Sequence, residues 1–589
     1  MRWSWLTLLA FVGLHACSSG PSADLILRGG RIYTVNRAQP WAEAIAIRGD
    51  QFIAVGSNQD MDRLIGKDTT LVELDGRLVL PGIIDSHIHL LEGSILLDHV
   101  RLDEATSLEE MKDIVRLFAK AKPEAPWIVG HGWNYTYVEG GRLPTRHDLD
   151  EVVPDRPAFL MAYDGHTAWV NSLALAAAGL DRQSKPLGPG EIVRDPETGE
   201  ATGALKEEGA IQLVRRVMPR PPREELLAAL RKGIAYAHRF GVTSIHSASG
   251  ISAEEDAEGY PDNDALDLFA ELEQRGELTL RVYSAMTVNE TTTDEDLDRF
   301  AELAARHRGP WLKAGAVKIF MDGVIESHTA AMLEPFANNP DERGTPNYTQ
   351  AEINELISNL DQRGFQIFTH AIGDRAVRMV LNAYEEAAGQ HPESRGRHRI
   401  EHVEVVSDKD IPRFAELDVI AAMQPHHATP DIVGVWAKGV GPERIERAFA
   451  WRSLRDAGAR VVHGSDWAVV TIDPLVGLHT AVTRQDLDDR PEGGWIPDQR
   501  LTLEDAISGY TLDAAYASFE EDIKGSIEVG KFADLAVLSQ DLFKVPPRKI
   551  AATEVMMTVA GGQVVYASPR FLPQEFIETL SSMSSRGVH

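Results

Sequence analysis

The chain has 589 residues, of which 43% are hydrophobic and 25% are charged, so it can bury a large core and hold more than one domain. This composition excludes an intrinsically disordered protein. The formal net charge of −30 and the lack of a Lys/Arg-rich run argue against a surface that binds nucleic acid.

The first 20 residues have the features of an export signal. Arg2 precedes an apolar segment at residues 3–14 that is too short to span a bilayer. Cys17, the only cysteine of the chain, follows shortly after it, and this arrangement resembles a bacterial lipoprotein signal. We therefore expect residues 1–17 to be a lipoprotein-type signal peptide and the protein to be exported and lipid-anchored through Cys17 at the periplasmic face of a bacterial membrane. The alternative is a plain signal peptide with an incidental cysteine, which would give a soluble periplasmic or secreted protein.

Short β-like segments separated by glycine-rich turns occupy the start of the mature chain and return near its end. They lie at residues 25–27, 31–35, 44–47, 51–55 and 71–73, and again at residues 532–538 and 555–565. We infer one small β-sandwich built from residues 18–77 and 525–570, because two separate β-appendages would each be small for independent stability. Residues 571–589 are predicted to form a C-terminal tail.

An apolar run at residues 78–84 predicts a buried parallel strand, which leads into Asp85, His87 and His89. Side chains at positions i and i+2 of a strand point to the same face, so the two imidazoles can converge at the carboxyl end of the strand. Such an arrangement can present two nitrogen ligands to a metal. The alternative is a pair of ordinary polar residues after a strand.

Seven further strand-like runs alternate mostly with helical patterns, of which the clearest are residues 226–238, 264–274, 352–362, 375–388 and 442–457. The runs lie at residues 242–245, 278–283, 316–320, 365–368, 399–402, 419–422 and 460–463. Eight parallel strands with intervening helices indicate an α/β protein with a (β/α)₈ TIM barrel over residues 78–524, whose active site would lie at the carboxyl ends of the strands. The connection after the first strand is longer than one crossover needs, so residues 103–240 are predicted to form an inserted lid subdomain.

Polar residues stand at or near the ends of several predicted barrel strands: Lys318, His370, His402 and Asp466. Lys318 is the most informative, because a cationic lysine inside an apolar strand is costly to bury and would repel a metal ion. A lysine that reacts with carbon dioxide becomes an anionic carbamate, which can bridge two metals. The alternative is an ion pair with a nearby acid such as Asp322.

These motifs resemble those of the amidohydrolase superfamily, in particular the extended amidohydrolases (amidohydrolase family 3) that include N-substituted formamide deformylases. The resemblance covers nearly all of the mature chain and implies the barrel fold and metal-dependent hydrolysis, whereas it specifies the substrate only weakly. The motifs are LPGIIDSHIH (80–89), GAVKIFMDG (315–323), THAIGDRA (369–376), RHRIEHVE (397–404), VHGSDWAV (462–469) and KGSIEVGKFADLAVL (524–538).

The resemblance implies a centre of two divalent metals. One metal would be held by His87, His89 and Asp466, the second by His370 and His402, with Lys318 as a bridging carbamate. Zinc suits these ligands, and manganese or iron is the alternative. A metal-bound hydroxide would attack the substrate, and Asp466 would take its proton and return it to the leaving nitrogen. The implied reaction is hydrolysis of a non-peptide C–N bond, in an amide or a formamide-like small molecule.

Five further residues are candidates for substrate contacts. His246 follows the second strand, where many relatives have an aspartate, and a structural histidine is the alternative there. Trp133 and His166 belong to the insertion, whose aromatic residues could instead form its own core. His426 and His427 follow the seventh strand, with surface histidines as the alternative.

Three other functions remain open at this point. An esterase or lactonase, or an imine deaminase, could use the same metal centre, and a decayed barrel could serve as an exported binding protein. A missing metal ligand would favour the decayed barrel, but every expected position is filled. The expected partner is a small-molecule substrate, with membrane contact only through a lipid on Cys17, and a homodimer is compatible with the resemblance.

Overall fold

The computed structural model describes residues 22–103, 105–135, 143–162, 167–187, 190–248, 265–394, 396–429 and 433–573. The predicted signal peptide with Cys17, the candidate residue His166 and residues 574–589 of the predicted tail lie outside this range. Across the described residues, the helices are too short or too polar for any of them to cross a membrane.

The first seven strands of the chain belong to a β-domain that is separate from the barrel. β5, β4, β1 and β6 form one sheet in that order, whereas β2, β3 and β7 contribute to a second sheet. The α-helix of this region, α1 (Asn58–Met61), begins with a capping box at Ser57. The strands are β1 (Leu25–Arg28), β2 (Arg31–Tyr33), β3 (Trp41–Ala42), β4 (Ala44–Arg48), β5 (Gln51–Gly56), β6 (Thr70–Glu73) and β7 (Leu78–Pro81).

The first barrel strand is β8 (Ile83–Ile88), so the prediction of one strand over residues 78–84 is wrong. The apolar run is shared between two sheets, and Gly82 separates them. The Gly82 N–H donates to the carbonyl of Asp534 at 2.9 Å, and a Cβ on this residue would lie 2.1 Å from Thr243 Oγ1. A glycine is therefore required where the chain passes from the β-domain into the barrel.

The connection after β8 forms an inserted domain around its own six-stranded sheet, in the order β13-β14-β12-β11-β10-β9. Its core contains the buried indoles of Trp133 and Trp169. The strands are β9 (Val100–Arg101), β10 (Ile128–Trp133), β11 (Ala158–Ala162), β12 (Thr167–Val170), β13 (Glu191–Arg194) and β14 (Ala201–Lys206). The helices from the end of β8 to the end of the insertion are α2 (Leu90–Leu96), α3 (Leu108–Ala121), α4 (Arg146–Asp150), α5 (Ser172–Ala177) and α6 (Glu208–Arg215).

Eight parallel strands form a nearly closed barrel in the order β21-β20-β19-β18-β17-β16-β15-β8. The loop after β21 joins β8, because the Asp466 N–H donates to the carbonyl of His87 at 2.8 Å. The remaining barrel strands are β15 (Val242–Ser247), β16 (Arg281–Thr287), β17 (Leu312–Phe320), β18 (Gln366–Ala371), β19 (Arg399–His402), β20 (Ile420–Met423) and β21 (Val461–His463).

The helices between these strands are α7 (Arg223–Arg239), α8 (Ala265–Gln274), α9 (Asp294–Arg306), α10 (Gln350–Gln362), α11 (Asp374–Gln390), α12 (Ile411–Glu416), α13 (Val433–Val440), α14 (Pro442–Ile445) and α15 (Trp451–Asp456). The prediction of one helix over residues 442–457 is wrong. The chain breaks between α14 and α15, where Phe449 has a φ of 46° that a continuing helix does not allow.

The C-terminal part of the chain completes the β-domain. Three helices follow the last barrel strand, α16 (Pro474–Thr483), α17 (Leu503–Gly509) and α18 (Leu512–Ala517), and α17 and α18 pack against barrel strands. The strands that join the β-domain are β22 (Leu535–Leu538), β23 (Val555–Ala560) and β24 (Gln563–Ala567). The second sheet has the order β24-β23-β22-β7-β2-β3, and its apolar side chains share a core with those of the first sheet, including Leu25, Ile45, Val79 and Val559. The predicted fold class, a TIM-like barrel with β-sheets from both chain ends and a large insertion after the first strand, is confirmed.

A buried ion pair connects the barrel to the β-domain. Arg281, at the start of β16, donates from Nε to Asp534 Oδ2 at 2.7 Å, and both side chains are almost fully buried. The guanidinium packs against the rings of Trp311 and Phe532, 4.3 and 3.8 Å from their centres. The Gly561 N–H donates to the other carboxylate oxygen at 2.7 Å. We call Arg281 and Asp534 the junction pair.

Candidate metal centre

Three side chains converge at the carboxyl end of the barrel, at the seam between its first and last strands. His87 lies near the end of β8, His89 directly precedes α2, and Asp466 follows β21. Asp466 Oδ1 is 3.0 Å from His89 Nε2 and 3.5 Å from His87 Nε2. The three ligand atoms are close enough together to hold one metal ion.

The other oxygen of Asp466 faces a second pair of imidazoles. Oδ2 lies 3.5 Å from His427 Nε2 and 4.0 Å from His402 Nδ1, and these three residues form a second group that could hold a metal. His427 belongs to a short 3₁₀ helix, Pro425–Ala428, directly after β20. The sequence indicated His427 as a substrate contact, whereas its position beside Asp466 gives it the geometry of a possible ligand.

Lys318 lies beside the first group of ligands. It is buried in β17, with its Nζ 3.4 Å from His87 Nε2. Among the described residues no ion pair joins Lys318 to Asp322, the example of a nearby acid that the sequence offered, and the Asp322 carboxylate accepts hydrogen bonds from three backbone N–H groups. These are the N–H groups of Ala331, Ile372 and Gly373, at 2.9, 3.0 and 2.9 Å.

Burial sets the protonation of the cluster. It lowers the pKa of His87 to about 4, of His370 to about 3 and of Lys318 to about 8. Burial alone would raise the pKa of Asp466, but the neighbouring His87 and His89 hold it well below the usual range. Near pH 7 the cluster therefore offers neutral imidazoles at His87, His370 and His402 and an ionised carboxylate at Asp466, which are the forms that bind metals. His427 differs, because burial lowers its pKa but the neighbouring Glu404 and Asp466 carboxylates raise it above the usual value.

Asp85 fixes the position of the metal-binding residues relative to one another. Its carboxylate accepts from the Ser465 N–H at 2.9 Å and the Ser465 hydroxyl at 2.5 Å, and from the His87 N–H at 3.3 Å. Burial raises the pKa of Asp85 to about 7. One carboxyl group thus joins β8 to the loop that carries Asp466.

The residues present fit a divalent metal. Imidazole nitrogen and carboxylate oxygen are the ligands that zinc and neighbouring transition metals accept. His427 Nε2 is buried, and no hydrogen bond from the described part of the chain satisfies it, although it faces a carboxylate oxygen. A cation bound by His427 and Asp466 would satisfy this nitrogen, so the donor set is consistent with metal binding.

Comparisons with known proteins agree with this geometry. The model of the amidohydrolase family matches residues 70–566. The chain belongs to the amidohydrolase family.

Two relatives and one solved structure match this amidohydrolase over most of the length of both chains. The chain is 32% identical to protein LONG AFTER FAR-RED 3 of Arabidopsis thaliana, over 93% of this chain and 92% of that protein. It is 26% identical to N-substituted formamide deformylase of Arthrobacter pascens, over 92% of this chain and 98% of that enzyme. A crystal structure of an uncharacterised metal-dependent hydrolase from Pyrococcus furiosus superposes with a TM-score of 0.71 at 28% identity, covering 88% of this chain and all of that one.

The amidohydrolase also places His370 and His402 within the cluster. Their ring centres are 4.5 Å apart, and the ring centre of His402 is 4.9 Å from that of His87. His370 Nε2 is 3.2 Å from the carbonyl of Gly323, and His402 Nδ1 is 2.8 Å from Gln424 Oε1. Both contacts suit a ring N–H donor, which leaves the other nitrogen of each ring available as a ligand.

Three candidate substrate contacts occupy other surroundings. Trp133 is fully buried in the inserted domain, where its indole N–H donates to the carbonyl of Leu160 at 3.0 Å. His426 donates from Nε2 to the carbonyl of Asp473 at 2.8 Å. His246 is fully buried inside the barrel, and none of these three belongs to either metal-binding group among the described residues.

The sequence analysis missed two charged residues beneath His87. Glu401 Oε2 lies 2.5 Å from His87 Nδ1, and Arg399 donates to both oxygens of Glu401, at 2.6 and 2.8 Å. The available signal was the spacing of Arg399 and Glu401 within a buried strand, because residues at i and i+2 share a face. Two opposite charges on one face of a central strand indicate a buried pair.

Proposed function

We propose that this protein is a metal-dependent hydrolase that cleaves a non-peptide C–N bond in an amide or a formamide-like small molecule. The observation that carries the proposal is the convergence of His87, His89 and Asp466 at the carboxyl end of the barrel, where TIM-barrel enzymes have their active sites. The relationship to an N-substituted formamide deformylase supports a C–N bond as the target.

Asp466 is the proton carrier of the proposed reaction. A divalent metal at this centre would supply a Lewis acid that polarises the substrate carbonyl and acidifies a water molecule. Asp466 is held ionised by His87 and His89, so it can accept a proton from the attacking water. The same carboxyl group then returns this proton to the leaving nitrogen, which departs as a neutral amine.

We further propose that Lys318 is carbamylated and that its carbamate bridges two metals. Burial lowers the pKa of the Lys318 amine to about 8, so about a tenth of it is neutral near pH 7. The neutral nitrogen attacks the carbon of CO₂, a C–N bond forms, and one proton leaves the nitrogen for solvent. The product has a negative charge in place of a positive one, which removes the repulsion between a buried ammonium and a metal.

A matched substrate panel tests the proposed reaction. Metal-free protein and protein reconstituted with zinc, manganese or iron are assayed against formamides, other simple amides, N-acyl amino acids, and esters or lactones of the same size. We expect amine release from a formamide or an amide only after reconstitution. Higher kcat/KM for esters or lactones than for every amide would overturn the assignment to C–N bonds.

We also propose that Cys17 anchors the protein to the periplasmic face of a bacterial membrane, on the basis of the signal-like segment before it. Labelling with a radioactive fatty acid in a bacterial host tests this directly. We expect label in the native chain and none in Cys17→Ser. An unlabelled native chain that is still exported would support a plain signal peptide.

A further inference from the structure

A buried pair of opposite charges, Arg399 and Glu401, lies next to His87 of the metal-binding cluster. Arg399 and Glu401 are fully buried in β19. The Arg399 guanidinium stacks on the ring of Phe368, 3.8 Å from its centre, and Nη2 also donates to the carbonyl of Ser86 at 2.6 Å. Nη1 lies 2.9 Å from His246 Nδ1. The position of Glu401 is therefore determined by a guanidinium that is itself held on several sides.

The hydrogen-bond partners of these side chains determine where the protons lie. An arginine side chain can only donate, so His246 Nδ1 must be the acceptor. Arg399 donates to both oxygens of Glu401, at 2.6 and 2.8 Å, and a carboxylate that pairs with a guanidinium in this bidentate way is ionised. An ionised carboxylate can only accept, so His87 Nδ1 must carry the proton that faces Glu401. The lone pair of His87 is then on Nε2, the nitrogen that lies 3.5 Å from Asp466 Oδ1.

We propose that Arg399 and Glu401 are positioning residues that hold His87 in the tautomer and orientation that bind metal through Nε2. This inference rests on the proposed function only in requiring a metal at His87, and it makes no claim about the substrate. A neutral histidine in water divides its proton between two nitrogens and rotates freely. A carboxylate that accepts the Nδ1 proton fixes the tautomer and the orientation of the ring before the metal binds. It also raises the basicity of Nε2.

The cost of this arrangement supports a role in function over one in stability. Removing two charges from water is expensive, and a well-packed apolar pair of similar volume is often as stable as a buried ion pair. Branched apolar side chains are the usual filling of a TIM-barrel interior. Arg399 and Glu401 occupy such interior positions. Among the described residues, Glu401 contacts one ring nitrogen of the metal-binding cluster, which is His87 Nδ1.

The experiment measures metal affinity in Glu401→Gln and in a matched control, Asp534→Asn. Both substitutions neutralise the carboxylate of a buried pair with arginine, but Asp534 lies at the junction with the β-domain and has no contact with His87. Zinc affinity is obtained by competition with a chelator, and the cobalt-substituted proteins are compared by visible absorption. We expect Glu401→Gln to weaken zinc binding about 10- to 100-fold and to change the cobalt spectrum. Asp534→Asn should stay within about twofold of the native affinity, with an unchanged spectrum.

Two results would overturn the inference. One is a zinc affinity of Glu401→Gln within about twofold of native, and the other is an equal loss in Asp534→Asn, which would show a general effect of a broken buried pair. If Glu401→Gln does not fold, Arg399→Lys provides the same test, because it keeps the charge but loses the planar fork. A native protein that binds zinc tightly but hydrolyses no amide would contradict the proposed function and leave this inference standing.

Discussion

Two buried ion pairs between an arginine and a carboxylate have different roles in this protein. Arg399 and Glu401 lie under the metal-binding cluster, and the junction pair of Arg281 and Asp534 joins the barrel to the β-domain. Both guanidiniums stack on aromatic rings, and both carboxylates accept more than one hydrogen bond. The difference lies in the last contact, which is a metal-binding imidazole in one pair and a backbone N–H in the other. Similar chemistry therefore serves the reaction at one place and the assembly of two domains at the other.

The largest effect on activity is expected from Asp466→Asn, in the metal-binding cluster. The amide cannot accept and return a proton as the carboxylate does, so kcat should fall by roughly 10²- to 10⁴-fold. The activity is measured at saturating metal, since Asp466 is also a predicted ligand. The thermal midpoint should change less than in a variant of the junction pair. More than a tenth of the native kcat would contradict the role of Asp466.

The junction pair should show the opposite behaviour. Arg281→Ala leaves Asp534 buried without its cation, which typically destabilises a protein by about 3–5 kcal/mol. We expect this loss in urea unfolding at a temperature where the variant is still folded, together with native zinc affinity. A variant that keeps its stability but loses metal would show that the two pairs are not separable.

The pH dependence of metal loading sharpens the assignment of Lys318. Only the neutral amine reacts with CO₂, and burial lowers the pKa of Lys318 to about 8. At constant CO₂ pressure, the rate of metal uptake by metal-free protein should rise about tenfold per pH unit below pH 8 and then level off. Lys318→Ala provides the control and should show no such rise. A profile that is flat in the native protein would exclude carbamylation as the limiting step.

The smallest effect is expected from the aromatic ring over the junction pair. Trp311→Leu removes one of the two rings that enclose the Arg281 guanidinium, a contact worth about 1–2 kcal/mol where the cation is desolvated. The variant should unfold at a lower urea concentration and retain native kcat and metal content. A loss of metal without a loss of stability would connect the junction to the cluster.

The sequence predicted the architecture well because the signals of a parallel barrel are local. Buried strands such as β17 are mostly apolar and carry a chemically distinctive residue, and the predicted residues 316–320 lie within the observed strand. The two errors have different causes. The run at residues 78–84 contains Pro81 and Gly82, a dipeptide that marks turns, and the structure shows that the chain changes sheets there. The break at Phe449 depends on a tertiary contact, because its N–H donates to the carbonyl of Glu404 at 2.8 Å.

The ligand candidates were accessible from the sequence because each stands at a strand end. The supporting residues were harder to find, since Glu401 and Asp85 act through partners that are distant along the chain. Glu401 meets His87 across 314 positions, and Asp85 meets Ser465 across 380. A single sequence contains no direct signal for such pairs. The contacts of the second Asp466 oxygen could be found only in the structure, because nothing in residues 424–427 indicates that His427 lies beside that carboxylate.

The most direct test of the metal centre is elemental analysis of the purified, signal-free protein and of Lys318→Ala, each with and without bicarbonate during reconstitution. We expect about two divalent metals per native chain, and about one or fewer when Lys318 or bicarbonate is missing. One metal per chain, unaffected by Lys318 or bicarbonate, would contradict the carbamate bridge. A native chain that retains no metal after reconstitution would contradict the metal centre itself.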